Sequence, residues 1–223
     1  MTTKRLIVGL TGATGVVFGV RLLEMLRRHT DVETHLVMSQ WAARTLVHET
    51  NHTPAEVEAL AHHVHHIADH GAPISSGSFL TDGMVIAPCS VRTLSSIASG
   101  AGYNLLHRAA DVVLKERRRL VLAVRETPLN DIHLEHMLKL SRMGAVVAPP
   151  LPAFYHRPRS LDEVVDHTVM RLLDQFGLHL EGATRWDGLM DTGGDRTGGG
   201  RGTAETASGQ APATPSGLPR RTP

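Results

Sequence analysis

The side chains best suited to chemistry stand in a few short stretches. Arg125 and Glu126 are adjacent. A cation beside an anion suits an anionic substrate and a proton-transfer step, although the same pair also fits a solvated ion pair of little consequence. Gly12-Ala13-Thr14-Gly15 offers backbone N–H groups and little bulk, so a phosphate or a flat ring could approach the chain closely. Counted from Gly9 the spacing is G-x-x-G-x-x-G, not the dinucleotide fingerprint G-x-G-x-x-G, and a plain tight turn uses the same glycines. Ser90-Val91-Arg92-Thr93 combines hydroxyls, a cation and the free amides of a helix start, which outlines a phosphate pocket. Arg108, Asp111 and Lys115 fall at i, i+3 and i+7 on one helix face, where a salt-bridged surface is the plain reading.

Other candidates carry weaker signals. Glu49 sits near the end of a helix, where the dipole disfavours a carboxylate, and reads as a surface residue. Cys89 has no base spaced to activate it and reads as a small buried residue. His62 and His66 lie four apart on the helix expected from Thr53, close enough to hold a metal. No carboxylate or cysteine completes that set, so a solvated face is the favoured account. Tyr155 belongs to a stiff, proline-dense loop, and Arg171 to the last helix, as a surface residue.

Elements that would position these residues follow from the apolar pattern. Buried strands are expected at Lys4 to Leu10, Val32 to Met38, Gly83 to Ala87, Leu120 to Val124 and Ala145 to Ala148. Helices alternate with them, over Trp41 to Thr50, from Thr53 through the histidines, from Asp131 to Met143, and after Ser160. Ser39 and Ser90 read as N-caps, Thr53 with Glu56 as a capping box, and Pro88 and Pro128 as a strand breaker and a helix starter. Five strands alternating with helices give an α/β, doubly wound parallel sheet in one domain. Ligands of such sheets sit beyond the carboxyl ends of the strands, where Gly12, Ser39, Ser90, Arg125 and Tyr155 all fall.

Composition narrows the class. The chain has 223 residues and a formal net charge of +1, so no strong field points to nucleic acid or a membrane surface. With one cysteine, no disulfide framework forms within a chain. No apolar run approaches a membrane span, and the start shows no signal-peptide pattern, so a soluble cytoplasmic enzyme is expected. From about Asp191 onward Gly, Thr, Ala, Pro and Ser dominate, and such a segment cannot offset its ordering entropy by burial. The expected organisation is a domain over 1–189 and a disordered tail over 190–223.

Several motifs occur together and in order: Gly-Leu-Thr-Gly-Ala-Thr-Gly, Leu-Val-Met-Ser, Ser-Ser-Gly-Ser-Phe, Ala-Pro-Cys-Ser-Val-Arg-Thr, Arg-Ala-Ala-Asp-Val-Val-Leu-Lys-Glu-Arg-Arg, Val-Arg-Glu-Thr-Pro-Leu and Pro-Ala-Phe-Tyr-His-Arg-Pro. From residue 4 to about 188 the chain resembles the UbiX-type flavin prenyltransferases. The resemblance implies a flavodoxin-like fold that binds reduced FMN and prenylates it with dimethylallyl phosphate, without a metal. The product would be the cofactor of a UbiD-type decarboxylase. Gly12, Ala13, Thr14, Ser39, Ser90, Val91, Arg92, Thr93 and Arg125 would then bind FMN, with its phosphate at the Ser90 helix start. Arg108, Lys115, Glu126, Tyr155 and Arg171 would gather around the dimethylallyl phosphate. Glu126, Lys115, Glu49 and Thr14 would be catalytic, Glu49 near the reacting face of the flavin. The family pattern has Ser where this chain has Thr14, which adds a methyl beside the flavin. A homo-oligomer, by resemblance a dodecamer with sites between subunits, is also implied. Two rivals share the fold: an FMN-dependent decarboxylase of the cysteine-decarboxylase type, and a non-catalytic flavin carrier. The first is disfavoured by the Ala-Pro-Cys-Ser-Val-Arg-Thr loop, the second by Lys115, Glu126 and Arg171 occurring together.

Overall fold

Buried aliphatic runs become the strands of one parallel sheet, in a computed structural model that describes residues 3–29, 31–182, 184–186 and 188. The strands are β1 (Lys4–Leu10), β2 (Val32–Met38), β3 (His63–His65), β4 (Gly83–Cys89), β5 (Arg119–Val124) and β6 (Val146–Val147). Their order across the sheet is β3-β2-β1-β4-β5-β6. Every residue of β4 is buried, as a central strand covered on both faces requires.

Helices cover the two faces. α1 (Val17–Arg27), α2 (Gln40–Glu49), α3 (Pro54–Glu58) and α7 (Leu161–Asp174) pack on one side, through Leu22, Leu46, Val57 and Leu173. α4 (Val91–Ser99), α5 (Leu105–Lys115) and α6 (Asp131–Arg142) pack on the other, through Leu94, Leu106 and Leu140. This is a flavodoxin-like, doubly wound sheet. α1 lies so close to β4 that a Cβ at Gly19 would come within 2.3 Å of the Ala87 carbonyl oxygen. The chain leaves β1 toward β2 on one side and returns to β4 on the other, so the switch point lies between the carboxyl ends of β1 and β4.

The caps read from the sequence are present. Ser39 accepts from the Ala42 N–H and Ser90 from the Thr93 N–H, and Thr53 with Glu56 closes a capping box. Four expectations change. The sheet has six strands, because His63–His65 is an edge strand on β2 and the helix after Thr53 stops at Glu58. His62 and His66 therefore share no helix face. His62 Nδ1 lies 2.9 Å from Thr34 Oγ1, while His66 Nδ1 accepts from the Ala68 N–H. Pro88 does not end β4, which runs on to Cys89 because the pairing with β5 is irregular between Ile86 and Cys89. Pro128 lies in a loop, and α6 starts at Asp131 behind the Asn130 cap.

The compact unit extends to Trp186. The expected tail over 190–223 lies outside the described residues. Among the described residues no helix is long and apolar enough to cross a membrane.

Candidate active site

A cavity of about 610 Å³ opens at the β1/β4 switch point. Its wall includes Thr11 and Gly12 after β1, Ser39, Gln40 and Trp41 after β2, and Ser90, Arg92, Thr93 and Ser96 on the first turns of α4. Asn104 and His107 from α5 and its cap close the far side. The lining holds one arginine and no carboxylate, a balance that favours an anionic ligand.

Local bonds explain how the wall is held. Thr11 is buried, and its hydroxyl donates to the Pro88 carbonyl at 2.7 Å while accepting from the Ser90 N–H at 2.8 Å. One side chain thus ties the β1 loop to the α4 cap across the switch point. Ser90 Oγ also donates to Thr93 Oγ1 at 3.1 Å. Gly12 passes under Trp41, and a Cβ there would come within 2.4 Å of the Trp41 Cβ. Ala13 is half-buried and Thr14 exposed in the same turn, and Val91 packs against the core behind α4.

Glu49 acquires a role that its own helix hides. Its Oε2 accepts from the N–H groups of Gly15, at 2.8 Å, and Val16, at 3.2 Å. α1 has no side-chain cap of its own, so Glu49 supplies the acceptor, a carboxylate at the positive end of α1. Cys89 is fully enclosed, and burial pushes its thiol up to about 12, which leaves it unreactive.

Tyr155 and Arg171 meet in a second cavity, of about 630 Å³, between the loop after β6 and α7. The Tyr155 hydroxyl lies 2.8 Å from His167 Nε2. Burial, with the charges of His156 and Arg171, holds His167 below the usual histidine range, so its neutral ring can take the phenol proton as acceptor. Asp174, whose side chain is 6% exposed, binds Arg185, His179 and Arg171 at 2.7, 2.7 and 2.6 Å. The Arg185 hydrogen bond, chiefly, holds that carboxyl far below the usual carboxylate range.

The remaining candidates do not converge within one chain. Arg125 and Glu126 follow β5 at the cavity edge of the sheet, but they form no ion pair with each other, and Glu126 Oε1 accepts from the Thr127 N–H. Lys115 ends α5 just before β5 begins, so it stands at the opposite edge, a strand length of roughly 17–20 Å away. There it pairs with Glu116 beside Gly77. Arg108 bonds Asp111 at 2.7 Å and donates to the Ser75 carbonyl at 3.2 Å. Sequence reasoning missed Thr11, Trp41, His107 and His167. Asn104, the N-cap of α5, was the one neighbour of His107 with a readable signal.

The flavoprotein family model matches residues 1–173. The probable UbiX-like flavin prenyltransferase of Bacillus subtilis (strain 168) is 60% identical over 185 residues, which are 83% of this chain and 90% of the relative. The chain belongs to the UbiX-like flavin prenyltransferase family. Two solved structures share this fold. The dodecameric FMN-dependent UbiX-like decarboxylase from Escherichia coli O157:H7 is 56% identical, with a TM-score of 0.82, and covers 82% of this chain and all (100%) of its own. AnUbiX (PadA1), solved in complex with FMN and dimethylallyl pyrophosphate, is 52% identical, also with a TM-score of 0.82, and covers 84% of this chain and 99% of its own.

Proposed function

We propose that this chain transfers the dimethylallyl group of dimethylallyl phosphate to reduced FMN, as a cytoplasmic homo-oligomer that supplies prenylated FMN to a UbiD-type decarboxylase. The observation that carries the reading is the acid-free cavity at the β1/β4 switch point, lined by Gly12, Ser39, Ser90, Arg92 and Thr93. Names of relatives at 60% identity favour prenyl transfer over cysteine decarboxylation.

The residues fit a phosphorylated flavin. Gly12 lets the β1 loop pass close under Trp41 at the cavity wall, and Ser39, Ser90, Thr93 and Arg92 offer hydroxyls and one cation. FMN would supply the ring nucleophile as a substrate. What the chain must supply is stabilisation of the departing phosphate as the allylic C–O bond breaks. Arg171, which meets Tyr155 in one cavity, would supply a cation, and the Tyr155 hydroxyl a hydrogen-bond donor on turning from His167 to the phosphate. Glu126, past the end of β5, would move a proton to or from the phosphate, and Arg125 would hold the flavin. Glu49, bound to the N–H groups of Gly15 and Val16, would act near the reacting face by fixing the turn that carries Thr14.

Lys115 supplies a further cation only if a neighbouring subunit brings it, since it lies at the far edge of its own sheet. A shared site supports the oligomeric reading, and the dodecameric Escherichia coli relative is consistent with it. The test is anaerobic incubation with reduced FMN and dimethylallyl phosphate, followed by mass spectrometry of the flavin. A five-carbon adduct is expected, and unmodified FMN would overturn the assignment. Mixing two inactive variants, Lys115→Ala and Arg171→Ala, should restore part of the activity, because some mixed sites carry both wild-type residues. No recovery in a proven mixed oligomer would place all the residues of each site in one chain.

A further inference from the structure

The free edge of the sheet gathers imidazoles and a carboxylate away from both cavities. β3 pairs with β2 so that His63 lies beside His35. The two rings stack, with centroids 4.7 Å apart and planes inclined by 23°. Glu33 is two residues before His35, so alternation along β2 puts both on one face. His35 Nε2 and His63 Nε2 approach the same Glu33 Oε1, at 2.9 and 3.3 Å. All three ligand atoms lie within 4.8 Å of one another. Ligands about 2.0–2.1 Å from a tetrahedral zinc ion stand roughly 3.3 Å apart, so small side-chain adjustments suffice to enclose one.

We infer that Glu33, His35 and His63 form a binding site for a divalent transition metal of the zinc class, which fastens the short edge strand β3 to β2. The supporting contacts are already built. His65 Nε2 lies 2.9 Å from His35 Nδ1, and an edge-on Phe79 ring packs against His35 at 5.2 Å. A metal-bound histidine typically has its second ring nitrogen held in this way. His35 is nearly inaccessible, while the His63 side chain is 53% exposed, so an ion reaches the site from the solvent side. Binding needs a tautomer exchange at two rings: the His35 proton moves from Nε2, which becomes the ligand atom, to Nδ1, donated to His65 Nε2, and the His65 proton moves to its own Nδ1. Arg5 Nε must release Glu33 Oε1, from which it lies 3.1 Å, but Arg5 keeps Oε2 at 3.3 Å and the Leu80 carbonyl at 3.0 Å. Two nitrogens and one oxygen select zinc, nickel or copper over magnesium and calcium. Water fills the remaining position. The site lies outside the prenyl-transfer residues and has no step in that reaction.

The chain carries 15 histidines, so the experiment must locate the ion as well as detect it. Chelator-treated full-length protein is titrated with zinc chloride against a chromophoric competitor, alongside His63→Ala and a control, His48→Ala, on the exposed face of α2. Wild type and control should bind one zinc with equal affinity, and His63→Ala at least about tenfold more weakly, as loss of one ligand requires. Cobalt substitution should give the intense visible bands of a four-coordinate ion in wild type and the control but not in His63→Ala. Millimolar binding in wild type, equal affinity in His63→Ala, or only the weak spectrum of octahedral cobalt would overturn the inference.

Discussion

Removing the Glu49 carboxylate should loosen the α1 end of the glycine-rich loop after β1. In Glu49→Ala the N–H groups of Gly15 and Val16 lose their acceptor, at 2.8 and 3.2 Å, and no side chain within α1 replaces it. Loss of a cap costs about 1 kcal/mol, with an upper range near 2, and loss of the charge at the dipole end adds roughly 0.3–1. Glu49 is exposed, so water reclaims part of the lost bonding and the lower half of that range applies, about 1.5 kcal/mol in all. For a domain of this size that corresponds to a fall of about 3–6 °C in Tm. Glu49→Gln keeps an acceptor and loses the charge, so it should fall by less than half as much. Urea and thermal unfolding of the three proteins give the stability ranking, and the five-carbon adduct assay gives activity per folded molecule. If Glu49→Ala and Glu49→Gln unfold with wild-type midpoints, the capping argument is wrong. If Glu49→Gln loses stability in the expected small measure yet keeps full activity, the capping holds and the direct catalytic role fails.

Gly12→Ala places a Cβ within 2.4 Å of the Trp41 Cβ, an atom fixed by the α2 backbone, so the loop must move. FMN affinity should fall by about tenfold or more, read from flavin fluorescence quenching. His167→Phe keeps the ring that stacks on His156 and removes the acceptor of the Tyr155 hydroxyl. The effect should fall on KM for dimethylallyl phosphate and not on FMN binding, and a change confined to FMN would refute the positioning argument. Glu126→Gln should slow prenyl transfer by about 100-fold or more if the carboxyl moves the proton, and wild-type turnover would remove that role. Acid should weaken the fold through His35. Burial holds its pKa at about 4 against an ordinary 6.5, with Glu33, His63, His65 and Arg5 around it. Above 6.5 both folded and unfolded rings are neutral and the stability is fully present; between 6.5 and 4 only the unfolded ring takes a proton, so stability is lost as pH falls through that window. The loss is on the order of 3 kcal/mol. Urea midpoints of the metal-free chain should fall accordingly and fall less in His35→Gln, and parallel pH slopes would disprove the assignment.

The strands β1, β2 and β5 and the caps at Ser39, Thr53 and Ser90 were readable from the chain alone, because each rests on a local pattern of burial or side-chain bonding. So was the gathering of Gly12, Ser39 and Ser90 at one cavity, since a doubly wound sheet brings the ends of β1, β2 and β4 to one edge whatever the detail of its loops. β3 was not readable. A three-residue strand is too short to show alternation, and His62 and His66 happen to sit at helical spacing. Its existence is decided by the open edge of β2, which also turns Glu33, His35 and His63 into one cluster. Glu49 looked misplaced on its own helix because the helix end it serves lies more than thirty positions earlier. The separation of Lys115 from Glu126 likewise follows from the direction of β5 and not from their nearness in sequence. Local chemistry determined which segments form and which ends they present. Long-range packing alone decided which charges meet, because a parallel sheet sends neighbours in sequence to opposite edges and brings distant loops together.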